Sequence, residues 1–422
     1  MNILYVSQYF PPEMGAPAAR VAELSRYWAQ RGHEVTVLTG FPNHPTGIVP
    51  AEYRGKLRGL VMRDDVGAVK VVRSWLLPFP NRKAYERMLN YSSFCLSACT
   101  TGMFLSRPDI IIATSPQLLV GLSGWWLACT KRVPFIFEVR DLWPESLAAV
   151  GMGDPDSLLH RGLGKIAGFL YRECARVVVV TPAFKDHLVQ YWRLQPETIS
   201  VVGNGVETDV FGPGNADQGL RKQLGAEGKF VVCYIGTLGM AHGLEALVEA
   251  AVCLRDSAPQ VLFLLVGEGA EKERIISLAA SRGLTNLRFV GQQPRETIPD
   301  YIRASDACLV LLKKTELFKT VIPTKMLEFM SCARPVIVGV DGLARTIVEE
   351  AKAGLFVEPE DAGALAQAII RLASDAALCE ALGTNGRSEI IRNFSREQTA
   401  NDYLRVIGEV TENARQRRLG LA

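Results

Sequence analysis

Short runs of β-branched and other apolar residues alternate with helical patterns along the chain. Near-continuous apolar runs are typical of parallel strands that helices cover on both faces, and strand–helix–strand order is typical of a doubly wound sheet. The runs before Val206 are NILYVS, EVTVLTG, DIIIATS, PFIFEV, RVVVVT and ISVVGNG. The runs after Gly228 are FVVCYIG, QVLFLLVG, NLRFVG, ACLVLL, PVIVG and GLFVEP. The pattern therefore predicts two α/β domains.

A stretch rich in Gly, Asn and Asp separates the two sets of runs. It predicts an N-terminal Rossmann-like domain over residues 1–205, a linker over 206–228 and a C-terminal Rossmann-like domain over 229–392. Residues 393–422 are predicted to form a long amphipathic helix that returns to the N-terminal domain. No run is followed by a complete GxGxxG motif, which argues against nicotinamide chemistry.

The composition of the chain indicates which partners and which cellular compartment to expect. The formal net charge is only +3 at pH 7, which argues against nucleic acid as a partner. The nine cysteines form no CxxC pairs, and the N-terminus runs straight into a strand without a basic leader. These features predict a cytoplasmic protein without a disulfide framework.

Residues 51–87 carry nine basic and four acidic side chains. Such a patch would attract an anionic membrane or a phosphorylated substrate, and a solvated basic face is the alternative. The uncharged stretch from Met88 to Ser106 follows it directly and contains many Ser, Thr and Asn residues. It predicts a buried or membrane-surface helix rather than a transmembrane one.

The segment PTKMLEFMS places a lysine and a glutamate at the start of a predicted helix. Pro323 suits the first turn, and Thr324, Lys325 and Glu328 then share one face. A lysine in a first turn opposes the helix dipole unless an anion binds there. The spacing is therefore compatible with a phosphate site followed by a carboxylate for ribose, or with an ordinary surface ion pair.

Taken in order, segments across nearly the whole chain resemble the retaining GT-B glycosyltransferases of family 4, in the branch that builds lipid-linked or cell-surface polysaccharides. The matching segments are YFPPEMGAPAAR, RGHEVTVLTG, DLWPES, VVGNGVETDVF, YIGTLGMAHGLEALVEA, LLVGEGAEKERI, VGQQPRETIPDYIRASDACLVLL, PTKMLEFMSCARPVIVG and AGLFVEPED. The resemblance implies two Rossmann-like domains facing a cleft, with the donor on the C-terminal domain and the acceptor on the N-terminal one.

The resemblance also implies roles for residues that would bind a nucleoside-diphosphate sugar. Glu328 would bind the ribose, and the diphosphate would meet amide groups near Thr324 and Lys325. The remaining donor-binding residues implied in this way are Gly15 beside the diphosphate, Thr237 and Gly239 in the loop after the first strand of the C-terminal domain, and Val290, Gly291 and Gln293 beside the base.

Three positions depart from the general family pattern. Thr320 replaces a second glutamate, and Thr237 and His242 replace an arginine and a lysine. These changes leave open which group compensates the charge of the leaving diphosphate. The candidates are Lys325, a protonated His242 and oriented backbone N–H groups.

The segment RDLWPES follows a buried strand and is predicted to serve the acceptor. Arg140 and Glu145 are candidate acceptor-binding residues, as is His44 in a separate loop. Asp141 is a candidate for orienting or deprotonating the acceptor hydroxyl, or alternatively a helix N-cap. Asp154 and Asp156 spell the DxD letters of metal-dependent enzymes, but their Gly/Pro-rich setting favours a loop. We expect no cofactor and no required metal.

The sequence therefore predicts a cytoplasmic glycosyltransferase, on the inner face of the cell membrane, that moves a hexosyl or N-acetylhexosaminyl group from a UDP-sugar to a lipid-linked or saccharide acceptor. Two alternatives stay open. One is a GT-B epimerase acting on a free UDP-sugar. The other is a non-catalytic subunit that binds nucleotide-sugar, which the departures at Thr320, Thr237 and His242 would explain.

Overall fold

The computed structural model describes residues 1–13, 15–44, 47–79, 84–145 and 157–419. Asp154 and Asp156 lie outside the described residues. The chain divides into two compact units, of which unit 1 comprises Met1–Asn204 with Glu397–Ala422 and unit 2 comprises Gly205–Arg396.

Unit 1 is built on one sheet. Its strands are β1 (Asn2–Val6), β2 (Glu34–Gly40), β3 (Val61–Val66), β4 (Val69–Ser74), β5 (Ile110–Thr114), β6 (Phe135–Val139), β7 (Arg176–Val179) and β8 (Ile199–Val201). They are arranged in the order β3-β4-β2-β1-β5-β6-β7-β8. All neighbours pair in parallel except β3 and β4, which form an antiparallel hairpin.

Helices connect and cover these strands. They are α1 (Ala16–Gln30), α2 (Ala51–Leu57), α3 (Ala84–Met103), α4 (Leu119–Lys131), α5 (Leu158–Glu173) and α6 (Pro182–Trp192). Residues of β1 and β5 are almost entirely buried, as expected for central strands covered on both faces. The polar strand β3 is mostly exposed at the sheet edge, which is why no apolar run marks it in the sequence.

Unit 2 repeats the same architecture with a fully parallel sheet. Its strands are β9 (Phe230–Ile235), β10 (Val261–Val266), β11 (Leu287–Val290), β12 (Ala307–Leu311), β13 (Val336–Gly339) and β14 (Gly354–Phe356), in the order β11-β10-β9-β12-β13-β14. Its helices are α7 (Gln218–Gln223), α8 (Glu245–Ser257), α9 (Lys272–Ser281), α10 (Ile298–Arg303), α11 (Thr324–Ser331), α12 (Leu343–Glu350), α13 (Ala362–Ala373) and α14 (Ala376–Asn393).

Strand β9 shows how both faces of the unit 2 sheet are buried. Val232 and Tyr234 pack into one hydrophobic cluster, whereas Val231, Cys233 and Ile235 pack into another on the opposite face. Side chains alternate between faces along a strand, so both layers of helices contribute to the core. The predicted fold class, two α/β domains with doubly wound sheets, is confirmed.

The last helix, α15 (Arg396–Arg418), packs within unit 1. The indole Nε1 of Trp28 donates a hydrogen bond to the carbonyl of Ala400 (3.1 Å), and the Trp28 ring meets the edge of Tyr403 at 5.2 Å between centroids. Trp28 and Tyr403 are both fully buried. The helix therefore completes the hydrophobic core beside α1.

Within the described residues, no single helix is long and apolar enough to cross a membrane. Helices α13 and α14 meet that standard only together, as a pair bent by 102°.

Candidate active site

The loops after β9 and β10 pack backbone against backbone at the carboxyl end of the unit 2 sheet. The N–H of Gly236 donates to the carbonyl of Val266 (2.9 Å), and the N–H of Leu238 donates to that of Glu268 (2.8 Å). A Cβ atom at Gly267 would clash with the Gly236 carbonyl oxygen, and Gly267 also has a φ of +144°. Ligands bind at this end of open α/β sheets, so the loops form a rigid wall for a candidate ligand site.

Lys325 extends from the first turn of α11 to this wall. Its Nζ lies 3.9 Å from the ring centroid of Tyr234, and a Cβ at Gly236 would lie 3.1 Å from it. The Nζ is buried and finds no hydrogen-bond partner within the described part of the chain. Burial lowers the pKa of Lys325 to about 7, although Glu328 opposes the shift. A buried cation with unused donors is prepared to receive an anion.

Glu328 lies one turn further along α11 and forms an ion pair that the sequence did not reveal. Its Oε1 accepts a hydrogen bond from the Arg295 guanidinium at 3.0 Å. Arg295 begins the short 3₁₀ turn Arg295–Thr297, and its guanidinium carbon lies 5.0 Å from the ring centroid of Phe211. The carboxylate is therefore held in place from outside its own helix.

His242 lies in the loop after β9 and contacts the end of β12. Its Nδ1 lies 3.2 Å from the carbonyl oxygen of Leu311, where it donates as the neutral tautomer. Burial and then the charge of Lys325 lower the pKa of His242 to about 3. In the unliganded protein the imidazole is therefore neutral at physiological pH, and a protonated His242 beside a bound diphosphate stays a prediction. Lys325 is left as the cationic side chain among the catalytic candidates proposed for unit 2.

The other predicted donor-binding residues of unit 2 lie at the ends of the same strands. The carbonyl of Thr237 accepts a hydrogen bond from the Tyr234 hydroxyl (2.8 Å), and Gly239 precedes the 3₁₀ turn Met240–His242. Val290 ends β11, and its carbonyl accepts the N–H of Gly267 (3.0 Å). Thr324 begins α11, while Gly291 and Gln293 follow β11 in the loop that leads to Arg295. These residues lie at the carboxyl end of the unit 2 sheet, and their contacts with a donor stay predictions.

In unit 1, Gly15 precedes the first turn of α1, and Arg140 contacts that turn. Gly15 is the N-cap of α1 with a φ of +124°, a left-handed-side conformation that favours glycine. The guanidinium of Arg140, just after β6, donates to the carbonyl of Ala16 (3.1 Å). Arg140 therefore ties the end of β6 to the first turn of α1, and its contact with an acceptor stays a prediction.

Asp141 and Glu145 have separate partners. Asp141 Oδ2 accepts from the indole of Trp143 (3.3 Å). Glu145 Oε1 lies 3.2 Å from His187 Nε2 and accepts from the indole of Trp192 (3.3 Å). Burial acts to raise the pKa of Glu145, but the hydrogen bond and charge of His187 outweigh it, so the pKa is lowered.

The backbone of His44 contacts a buried glutamate, Glu13, that the sequence analysis missed. Glu13 Oε1 accepts hydrogen bonds from the backbone N–H groups of Asn43 (2.9 Å) and His44 (3.0 Å). Its Oε2 is buried and has no hydrogen-bond partner among the described residues. Burial raises the pKa of Glu13 to about 7 and lowers the pKa of His44 to about 4. The His44 imidazole is therefore neutral at physiological pH, and the Glu13 carboxyl is partly protonated near neutral pH.

Within the described ranges, no group of three or more His, Cys, Asp or Glu side chains is arranged to hold a metal ion. The expectation that no metal is required stays a prediction.

Comparison with known proteins identifies the class of this fold. Sucrose-phosphate synthase from Thermosynechococcus elongatus superimposes with a TM-score of 0.75 at 22% identity, covering 98% of this chain and 99% of that one. HepE of Anabaena, in complex with UDP and glucose, gives a TM-score of 0.71 at 19% identity, covering 97% and 100% of the two chains. The fold is GT-B.

Sequence comparison then identifies the family. The model of the glycosyl transferase 4-like domain matches residues 15–205, and that of glycosyl transferases group 1 matches residues 217–389. The putative colanic acid biosynthesis glycosyl transferase WcaI of Escherichia coli K12 is 24% identical over 96% of this chain and 99% of its own. The chain belongs to the family 4 glycosyltransferases, and the resemblance drawn from its motifs is confirmed.

Proposed function

We propose that this glycosyltransferase moves a sugar, with retention of configuration, from a UDP-sugar to a lipid-linked or saccharide acceptor in surface polysaccharide biosynthesis. The observation that carries the proposal is the buried ammonium of Lys325, which has no hydrogen-bond partner among the described residues and lies one turn before Glu328. This pair matches the chemistry of a nucleoside diphosphate, with a charge for phosphate and an acceptor for ribose hydroxyls. UDP is chosen because HepE binds it, and the acceptor class follows the name of WcaI.

The proposed reaction breaks the bond between the anomeric carbon and the donor phosphate. Negative charge then grows on the diphosphate, and a fixed cation in a water-poor site stabilises it strongly. Lys325 would supply that cation, and the free N–H groups at the start of α11 would assist. The leaving phosphate would take the acceptor proton on the same face of the sugar, so that no protein nucleophile is needed.

The acceptor is proposed to bind unit 1 near the carboxyl ends of β2 and β6. Asp141 would orient the acceptor hydroxyl, with Arg140, Glu145 and His44 nearby in the chain segments that follow these strands. Asp141→Asn is expected to lower turnover while UDP affinity stays unchanged, because an amide is a weaker hydrogen-bond acceptor than a carboxylate. Unchanged turnover in a transfer assay would remove Asp141 from the mechanism.

The donor proposal is tested by thermal-shift titration with UDP, GDP and ADP in EDTA. A ligand that binds only the folded state stabilises it by about 2.7 kcal/mol at one hundred times its Kd. We expect UDP to raise the unfolding temperature of the wild type and Glu328→Ala to lose most of that rise. Glu349→Ala, in an exposed ion pair with Arg345 on α12, is the matched control and should keep it.

The outcomes separate the competing functions. Stabilisation by GDP or ADP alone would overturn the choice of UDP, and a response that needs added metal would overturn the metal-free donor site. Binding without transfer or donor hydrolysis would favour a non-catalytic subunit. Conversion of free donor without an acceptor would favour an epimerase.

A lipid-linked acceptor would bring the enzyme to the cytoplasmic face of a membrane, and α3 presents a suitable surface. Its exposed apolar side chains repeat at intervals of four and seven residues, which keeps them on one helical face. They are Tyr85, Leu89, Leu96 and Met103, followed by Phe104. Leu96 and Phe104 are 70% and 83% exposed. We propose that this stripe and the basic residues of 51–87 hold the protein on anionic lipid.

Replacing Leu96 and Phe104 together by serine is expected to weaken binding to anionic vesicles about tenfold or more. Each side chain loses a transfer free energy of roughly 1.5–3 kcal/mol if fully inserted. Co-sedimentation at low salt measures the change, and Ile391→Ser, an exposed position in unit 2, is the control. If the wild type stays in the supernatant, the membrane proposal is wrong.

A further inference from the structure

Arg295 contacts the candidate donor site although it lies outside the segment Pro323 to Glu328. It stands two residues after Gln293, and 33 positions separate it from Glu328, which its guanidinium contacts at 3.0 Å. The Arg295 side chain is 30% exposed, whereas that of Glu328 is 11% exposed. Arg295 is therefore the more exposed member of the pair.

The environment of the pair explains what the arginine does for the glutamate. An ionised carboxylate in a largely buried position is costly unless a charged or hydrogen-bonding partner compensates it. Arg295 supplies a full positive charge and a directional N–H donor. The pair therefore compensates the buried carboxylate and fixes where its Oε1 points.

Phe211 fixes Arg295 in turn. The Arg295 guanidinium carbon lies 5.0 Å from the Phe211 ring centroid, within the range of a cation–π contact. Phe211 is fully buried, and its carbonyl accepts a hydrogen bond from Arg387 (3.1 Å). A rigid ring thus supports the arginine, and the arginine supports the carboxylate.

We propose that Arg295 is a positioning residue that holds the Glu328 carboxylate oriented for the ribose hydroxyls of the donor. The inference rests on the proposed donor site and adds to it the residue that sets discrimination between ribose and deoxyribose. A carboxylate has about four lone-pair sites on its two oxygens. A carboxylate can therefore accept from an arginine and from a ribose hydroxyl at the same time.

The test compares the affinities for UDP and 2′-deoxy-UDP by titration calorimetry. A hydrogen bond to a charged group corresponds to a preference of about tenfold or more for UDP in the wild type. Arg295→Met is expected to reduce this ratio to about twofold, and Arg295→Lys to restore part of it. Glu328→Gln should lose the preference, and adding Arg295→Met to it should cause no further loss, as expected for coupled residues.

Arg345→Met is the matched control. Arg345 also pairs with a glutamate, Glu349, and lies over a phenylalanine, Phe356, at 4.0 Å in the same unit. Its replacement should leave the UDP ratio unchanged. Thermal unfolding without ligand verifies that each variant is folded, and Arg295→Gln replaces Arg295→Met if the latter is not.

The results distinguish the inference from the proposed function. If Arg295→Met keeps the wild-type ratio, or weakens UDP and 2′-deoxy-UDP equally as a phosphate ligand would, the positioning role is overturned while the donor site stands. Equal wild-type affinities for the two ligands also overturn it. If the wild type binds no nucleoside diphosphate, both the proposed function and this inference fail.

Discussion

Lys325→Met is expected to lower transferase turnover about 100- to 1000-fold, the usual effect of removing one group that stabilises transition-state charge. The same change should raise the unfolding temperature of the unliganded protein by about 2–4 °C, or roughly 1 kcal/mol. The reason is that the buried Nζ of Lys325 has no hydrogen-bond partner within the described residues. Methionine fills similar space without a charge to desolvate.

The opposite signs of these two effects identify a functional lysine, since replacing a lysine that only supports the fold would lower activity and stability together.

The stabilisation by Lys325→Met should shrink as pH rises from 7 toward 10.5, because the folded-state pKa of Lys325, about 7, lies below the ordinary value. UDP affinity of the wild type should fall over pH 7.5–9, since the diphosphate binds the protonated lysine. Lys319→Met, at a partly exposed position of the same unit, is the control. Wild-type turnover in Lys325→Met would contradict the mechanism.

Glu13→Gln is expected to stabilise the protein by up to about 3 kcal/mol at pH 8 and to have little effect at pH 4.5. The folded-state pKa of about 7 exceeds the ordinary 4.5 because the carboxyl is buried. Between pH 4.5 and about pH 7 the folded state binds more protons than the unfolded state. The stability of the folded state therefore falls as the pH rises through this window. Each pH unit between the folded-state and ordinary pKa of the carboxyl corresponds to about 1.4 kcal/mol in the free energy of unfolding. Glutamine mimics the protonated acid and removes the dependence.

The measurement is the difference in free energy of unfolding between wild type and variant, by urea denaturation at several pH values. Taking the difference cancels the opposing contribution of His44, whose pKa is lowered by burial. Glu52→Gln, at an exposed position of α2, should change stability by less than about 0.5 kcal/mol. A pH-independent difference for Glu13→Gln would show that the carboxylate has a partner at neutral pH.

The fold class was predictable because its signals are local. Each parallel strand buries both faces and therefore appears as an apolar run of a few residues. Strand β3 was not predictable in this way, because VMRDDV is polar and lies exposed at the sheet edge. It depends instead on antiparallel pairing with β4.

The candidate site was predictable only where its residues share one short segment. Lys325 and Glu328 lie three residues apart, and helical spacing alone brings them to one face. Arg295 pairs with Glu328 across 33 positions, and Glu13 contacts Asn43 across 30. Such pairs depend on which strands are neighbours in the folded sheet. The neutral state of His242 likewise depends on burial, which its own segment does not reveal.

Helix α15 has a consequence for synthesis on the ribosome. Trp28 is translated long before its partners Ala400 and Tyr403. Unit 2 is translated in full between them and contains all of its own strands. Unit 2 can therefore fold before unit 1 is complete. Until α15 is synthesised, unit 1 exposes an apolar surface that a chaperone would bind.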